Sequence, residues 1–299
     1  MKLRKRNNRG FTLIELLVVM AIIALLLGIL LPALSKARAK ARQVKDSTQL
    51  SQLHKGMVTY AADKDGQFLL PGLVRRQPVG GVWIPGKGEE DPRDNHHGAL
   101  YSALVQLNFA SPPLLYSPSE SSASVAPKSG YDYNAYRPLY GEYWDPNFRA
   151  DLNSECNVSY ATCLLNGDRR KREWRDALSS DFIVIGTRGP GTGQGTDRIV
   201  GNTSNIAVYE ESITLGFFGG RNEFWANHCY NDGHVTFTNQ FQPDGHAKYK
   251  DSSGNMMEDD VYTHEDSDGR GGDAFLCITS AMTPDSVTDN LTGYTCSWD

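Results

Sequence analysis

The sequence has no surplus of basic charge, no Cys-x-x-Cys pair, no Gly-rich loop followed by Gly-Lys-Ser/Thr, and no internal repeat of solenoid length. Each absence removes a class. A formal net charge of −5 argues against nucleic-acid binding, which displaces counterions with a basic footprint. Without Cys-x-x-Cys, zinc and dithiol redox readings are weak. "RGPGTGQG" (188–195) lacks the lysine and helix start of a phosphate loop, and it reads as a surface loop. No repeat means no solenoid.

What is present is one long apolar run. Residues 11–31 contain only one charged residue, Glu15, and a helix of that length spans roughly the 30 Å hydrocarbon layer. Lys2, Arg4, Lys5, Arg6 and Arg9 precede it, so the positive-inside rule holds the N-terminus in the cytoplasm and sends the remainder across. Those five are among 30 basic residues, and the first ten positions hold none of the 35 acidic ones. The rest of the chain is therefore distinctly acidic. A cleaved secretory signal fits poorly, because the run is long and basic residues crowd the stretch after it.

The order basic leader, Gly10, Phe11 and then Glu15, followed by an apolar span and Pro32, resembles the prepilin family: type IV pilins and the pseudopilins of type II secretion. The match runs through "RGFTLIELLVVMAIIALLLGILLPAL". The resemblance implies cleavage between Gly10 and Phe11 by a prepilin peptidase and methylation of the new Phe11 amine. It also implies assembly with other pilin or pseudopilin subunits on an inner-membrane platform. A carboxylate near an apolar span is expensive unless paired. Glu15 lies one turn from Phe11, so it can pair with its own subunit's amine or with a neighbour's and thereby select a register.

Beyond the span, Leu34, Ala37, Ala41, Val44, Leu53, Met57 and Tyr60 recur at three- and four-residue steps, which predicts one helix from Phe11 to about Ala62. Gly28 and Pro32 are its weak points, and the Asp-Gly chemistry of "DKDGQF" (63–68) ends it. Further on, "DFIVIG" (181–186), "SNIAVYEE" (204–211) and "ITLGFF" (213–218) read as strands, and "SPPLLYSPSESSASVAPKSG" (111–130) as a surface loop. "YSALVQLNFASPPLLYSPS" followed by "GYDYN" loosely resembles a pseudopilin-like body, in which a Tyr-rich strand follows a Pro-Ser turn. "EFWANHCYNDGHVTFTNQF" (223–241) predicts a hairpin with a two-residue Asp232-Gly233 turn. That turn sets His228 opposite Phe237 and puts His234 on the other face, so the two histidines do not share a metal. The Asp-Gly hairpin also resembles the one that ends many pseudopilin-like bodies, with Asn222 standing where that group commonly has histidine.

Proximity in sequence pairs Cys156 with Cys163 and Cys277 with Cys296 and leaves Cys229 free; equally, all five can be reduced. The stretch 258–273 holds seven carboxylates and one arginine. It reads as a solvated loop without EF-hand spacing. Its resemblance to the C-terminal loops of major pseudopilins makes Asp266, Asp268 and Asp273 candidate calcium ligands.

The expected architecture is α+β: a long N-terminal helix, its first half transmembrane, packed on an antiparallel β-sheet domain with long loops. The segments are a leader (1–10), a transmembrane half-helix (11–31), an amphipathic half-helix (32–62) and a sheet-rich head (63–299). The expected function is a non-enzymatic pseudopilin-like subunit, a single-pass inner-membrane protein with a periplasmic head that polymerises into a pseudopilus. Alternatives are a type IV pilin or minor tip subunit for adhesion or DNA uptake, and an anchored binding protein or enzyme that borrows the export signal.

Overall fold

The computed structural model describes residues 11–190, 212–218, 224–243, 245–250, 254–257, 259–262, 276–280 and 296–297. An unbroken helix, α1 (Leu13–Ala61), opens the chain. It stops where expected: Asp65 and Gly66 take positive φ (53° and 77°), and the Gly66 N–H donates to the Ala61 carbonyl at 3.0 Å, a glycine C-terminal closure. The helix also runs through Pro32 without a break. Gly28 lies four residues before that proline, so the two expected weak points are one: proline has no N–H to offer the Gly28 carbonyl.

The chain divides into two compact units, Met1–Ala41 and Arg42–Asp299. The folded body thus begins inside the helix, at Arg42 rather than at residue 63. The stripe that the body buries is Gln43, Asp46, Gln49, Leu50, Leu53, His54, Met57 and Ala61. Leu34 and Val44, counted above in the apolar stripe, are exposed. Polar Gln43, Asp46 and Gln49 take the early contact positions instead, a pattern that hydrophobic periodicity does not detect.

The body is built on an antiparallel sheet of order β4-β3-β2-β1-β7-β8, comprising β1 (Tyr160–Cys163), β2 (Ile183–Thr187), β3 (Ala226–Tyr230), β4 (Val235–Thr238), β7 (Leu276–Thr279) and β8 (Cys296–Ser297). A separate two-stranded ribbon joins β5 (Tyr249–Lys250) to β6 (Met256–Met257). The sheet centre is buried on both faces. Strands β1, β2, β3 and β7 have no exposed residue, which explains their short continuous apolar runs. The remaining α-helices are α2 (Pro71–Val74), α3 (His97–Gln106) and α4 (Gly167–Glu173). Leu50, Leu53 and Met57 of α1, Leu100, Tyr101 and Leu104 of α3, and Tyr160, Ile185 and Cys229 of the sheet belong to one core.

Several expectations are corrected. "ITLGFF" is a run of turns, with Gly216 at φ 88°. The tyrosine-rich "GYDYN" holds a 3-10 turn (Tyr133–Ala135) begun by Asp132, whose carboxylate accepts the Asn134 N–H at 2.9 Å. The β3–β4 connection is one residue longer than expected. The Tyr230 N–H donates to the His234 carbonyl and the Gly233 N–H to the Tyr230 carbonyl, so Asn231, Asp232 and Gly233 (φ 85°) form a three-residue loop. His228 therefore faces Thr236, and Asn227 faces Phe237. "SNIAVYEE" lies outside the described residues.

Candidate functional site

The first turn of α1 explains Glu15 locally. Its Oε2 accepts both the Thr12 N–H and the Thr12 hydroxyl at 2.8 Å, and the Glu15 N–H donates back to Thr12 Oγ1 at 3.2 Å. This reciprocal arrangement is a capping box, in which two side chains satisfy N–H groups that the first helical turn leaves open. The signal, Thr-x-x-Glu ahead of an apolar run, stands in the sequence. Gly10 lies outside the described residues, and Phe11 next to it is exposed.

From Leu13 to Leu34 the large apolar side chains are 45–79 % exposed. The helix is long and apolar enough to cross a membrane, and within its most apolar window nothing is buried. A continuous apolar surface of this extent has no stable place in water. The same helix then enters a folded core. At Asp46, fully buried, Ser117 and Tyr160 hydroxyls donate to Oδ1 at 2.6 and 3.0 Å, while Asn227 Nδ2 and Thr187 Oγ1 donate to Oδ2 at 2.8 and 3.4 Å. Burial nonetheless raises this carboxyl above its ordinary value, with the four donors opposing the shift. Tyr160, Thr187 and Asn227 come from three adjacent strands, so one acid fixes the helix to β1, β2 and β3.

Histidines serve the frame. His97, wholly buried at the start of α3, accepts the Thr279 N–H at Nδ1 (2.9 Å) and contacts Thr162 Oγ1 through Nε2 (2.8 Å), tying α3 to β7 and β1. Burial pushes its pKa down to about 3. His228 meets the Tyr262 hydroxyl at 2.6 Å, and that hydroxyl donates to the Thr187 carbonyl; burial lowers this imidazole to about 3 as well. The observed register brings His234 to the His228 side of the hairpin, yet His234 is exposed at the tip, stacked on Tyr230 with centroids 4.2 Å apart and held at Nδ1 by Asp232. Among the described residues no group of three or more His, Cys, Asp or Glu side chains is placed to hold a metal ion.

Asp266, Asp268 and Asp273 lie outside the described residues. The beginning of their acidic stretch is not a solvated loop: Asp259 and Asp260 are buried, and Asp260 Oδ1 accepts the Tyr262 N–H at 2.9 Å. Cys156 and Cys163 are not paired. Both are free and buried, as is Cys229, while Cys277 is buried and in no disulfide, and Cys156 Sγ donates to the Val158 carbonyl. The Gly-rich segment begins with a buried ion pair, Arg188 to Glu120 at 2.6 Å, before passing outside the described residues.

The model of the prokaryotic N-terminal methylation motif matches residues 5–31. Over that segment the chain is prepilin-like, as type IV pilins and pseudopilins are. No curated protein and no solved structure matches it. The prepilin-like match covers the leader, Gly10, Phe11, the capped first turn and the exposed apolar span, ending one residue before Pro32. The motif implies processing by a prepilin peptidase.

Proposed function

We propose that this prepilin-like chain is a structural subunit of a pseudopilus: the peptidase cuts it after Gly10, and it then polymerises through α1 on an inner-membrane platform and performs no chemistry of its own. One observation carries the reading. The methylation motif sits on a helix whose first part is sheathed in exposed apolar side chains and whose continuation forms part of a folded core. A helix built this way is anchored in lipid before assembly, and a neighbour's apolar helix offers it an equivalent environment afterwards. The body then lies on the exported side, displayed along the filament.

The test joins processing to assembly. Intact mass of the membrane-extracted chain is expected to begin at Phe11 with one added methyl group, and Gly10→Val is expected to keep the leader. Sheared fractions are expected to contain the chain in ordered fibres. A mature chain starting at Met1 overturns the processing, and a correctly processed chain found only as monomer in every fraction overturns the filament.

A further inference from the structure

The helix that leaves the apolar span carries a feature that neither anchoring nor processing uses. Residues 16–45 contain no carboxylate, yet Lys36, Arg38, Lys40, Arg42 and Lys45 follow the span in quick succession. All five are exposed, and among the described residues no ion pair engages Lys36, Arg38, Arg42 or Lys45. Neutralisation by acids three or four positions away on the same helix, the usual arrangement for a solvated helix face, is absent from this stretch until Asp46, whose carboxylate is buried among four donors.

Position along the helix gives the charges a neighbour. At 1.5 Å per residue, Lys36 sits about 7 Å beyond Leu31 and Lys45 about 21 Å beyond it. With the apolar run filling the hydrocarbon layer, Lys36, Arg38 and Lys40 stand within side-chain reach of the headgroups, whereas Arg42 and Lys45, roughly 16 and 21 Å out, lie beyond a Debye length, where the surface potential is largely screened. Their arrangement around the axis narrows the partner further. At 3.6 residues per turn Lys36 and Lys40 project to one side, and Arg38, Arg42 and Lys45 to the other. A protein partner docking on one helix face would meet only Lys36 and Lys40 or only Arg38, whereas lipid headgroups surround the emerging helix and meet all three.

We propose that Lys36, Arg38 and Lys40 form a cationic collar that binds anionic phospholipid headgroups of the leaflet into which α1 emerges, and so sets the depth of the unassembled subunit. The proposal rests on the membrane-spanning reading of α1. Anionic lipid attracts each juxtamembrane cation through its surface potential, and long Lys and Arg stems let the charged ends reach the headgroup plane from slightly different heights.

The test uses the full chain reconstituted in phosphatidylcholine vesicles with spin-labelled phosphatidylglycerol or spin-labelled phosphatidylcholine as probe. The fraction of motionally restricted probe reports which lipid lines the helix. Wild type is expected to prefer the anionic probe roughly 3- to 5-fold, with most of that preference lost in 1 M salt, where the Debye length falls to about 3 Å. The combined variant Lys36→Gln, Arg38→Gln, Lys40→Gln, with its leader intact, is expected to lose most of the preference, whereas Arg42→Gln with Lys45→Gln is expected to keep it. Glutamine substitution of the five leader cations is expected to leave the collar's share in place. Equal preference in wild type and the collar variant overturns the proposal. So does a collar variant with unchanged lipid preference but defective polymer, which assigns these charges to a neighbouring subunit. Absence of any restricted probe, together with extraction of the chain at alkaline pH, instead overturns the membrane-spanning reading beneath it.

Discussion

Glu15 carries two separable duties, a local cap and a charge, and three substitutions divide them. Glu15→Gln keeps a side chain able to cap Thr12 but removes the negative charge; Thr12→Val keeps the charge and removes the hydroxyl; Glu15→Val removes both. If the charge pairs with the Phe11 amine of a neighbour, polymer relative to membrane monomer is expected to fall with both Glu15 variants and to persist with Thr12→Val. The inverse order assigns assembly to the cap, which contributes about 1 kcal/mol. At Asp46 the expected loss is larger. Asp46→Ala leaves donors from Ser117, Tyr160, Thr187 and Asn227 without their acceptor, a cost of about 3 kcal/mol or more, read as a melting temperature lower by roughly 6–12 °C. Histidines set the acid limit. His97 and His228 stand at about 3, and His96 and His246 at about 4, all lowered mainly by burial from 6.5. Groups with depressed folded values stay neutral in the fold while the unfolded chain takes up protons, so their stability contribution is full above 6.5 and shrinks as pH falls towards 4 and 3. Between pH 6.5 and 5 each removes about 2 kcal/mol. Thermal melts of the detergent-solubilised chain are expected to show a steep fall over that interval; a flat profile contradicts it. None of this was legible beforehand, because histidine in a sequence does not announce whether it is sealed in or exposed.

At the scale of elements, legibility followed locality. The end of α1 was readable because Asp65-Gly66 is a local signal, and β2 because Ile183, Val184 and Ile185 are β-branched and consecutive. The capped first turn is equally local: Thr-x-x-Glu ahead of an apolar run signals it, whereas Glu15 read as a charge alone does not. The hairpin was recognised from Asp232-Gly233, but its register was not, since two- and three-residue loops share that dipeptide and Asn231 decides between them. Its side chain accepts the Ala177 N–H and donates to the Arg175 carbonyl at 2.7 Å, which draws Asn231 out of the strand; that contact spans 56 residues and leaves no trace in the local sequence. The Pro32 and Gly28 pair gives a test at this scale. Restoring a backbone donor with Pro32→Ala is expected to stiffen the helix by about 3 kcal/mol and to reduce bending measured by paired spin labels on either side; unchanged label distances would show that the proline is already accommodated.

Seen as a whole molecule, one helix is apolar and exposed over its first part and joins a folded core over its last, and the prepilin-like motif covers only residues 5–31. The head's individuality lies in contacts between distant segments: Asp46 with Asn227, His97 with Thr279, Tyr262 with Thr187. Its thiols add a constraint on time. Cys156, Cys163 and Cys229 are buried and pushed up to about 12 by that burial, and Cys277 is buried beside them in the sheet. Native thiols so placed neither ionise nor meet a reagent, so alkylation is expected to proceed no faster than the head unfolds. With the head exported as proposed, that protection would begin only once the sheet has closed. A chain emerging slowly into an oxidising compartment would pass its cysteines through it unfolded, and any cross-link formed there among Cys156, Cys163, Cys229 and Cys277 would be one that the finished fold does not contain. Delivery and folding would then be a race against oxidation.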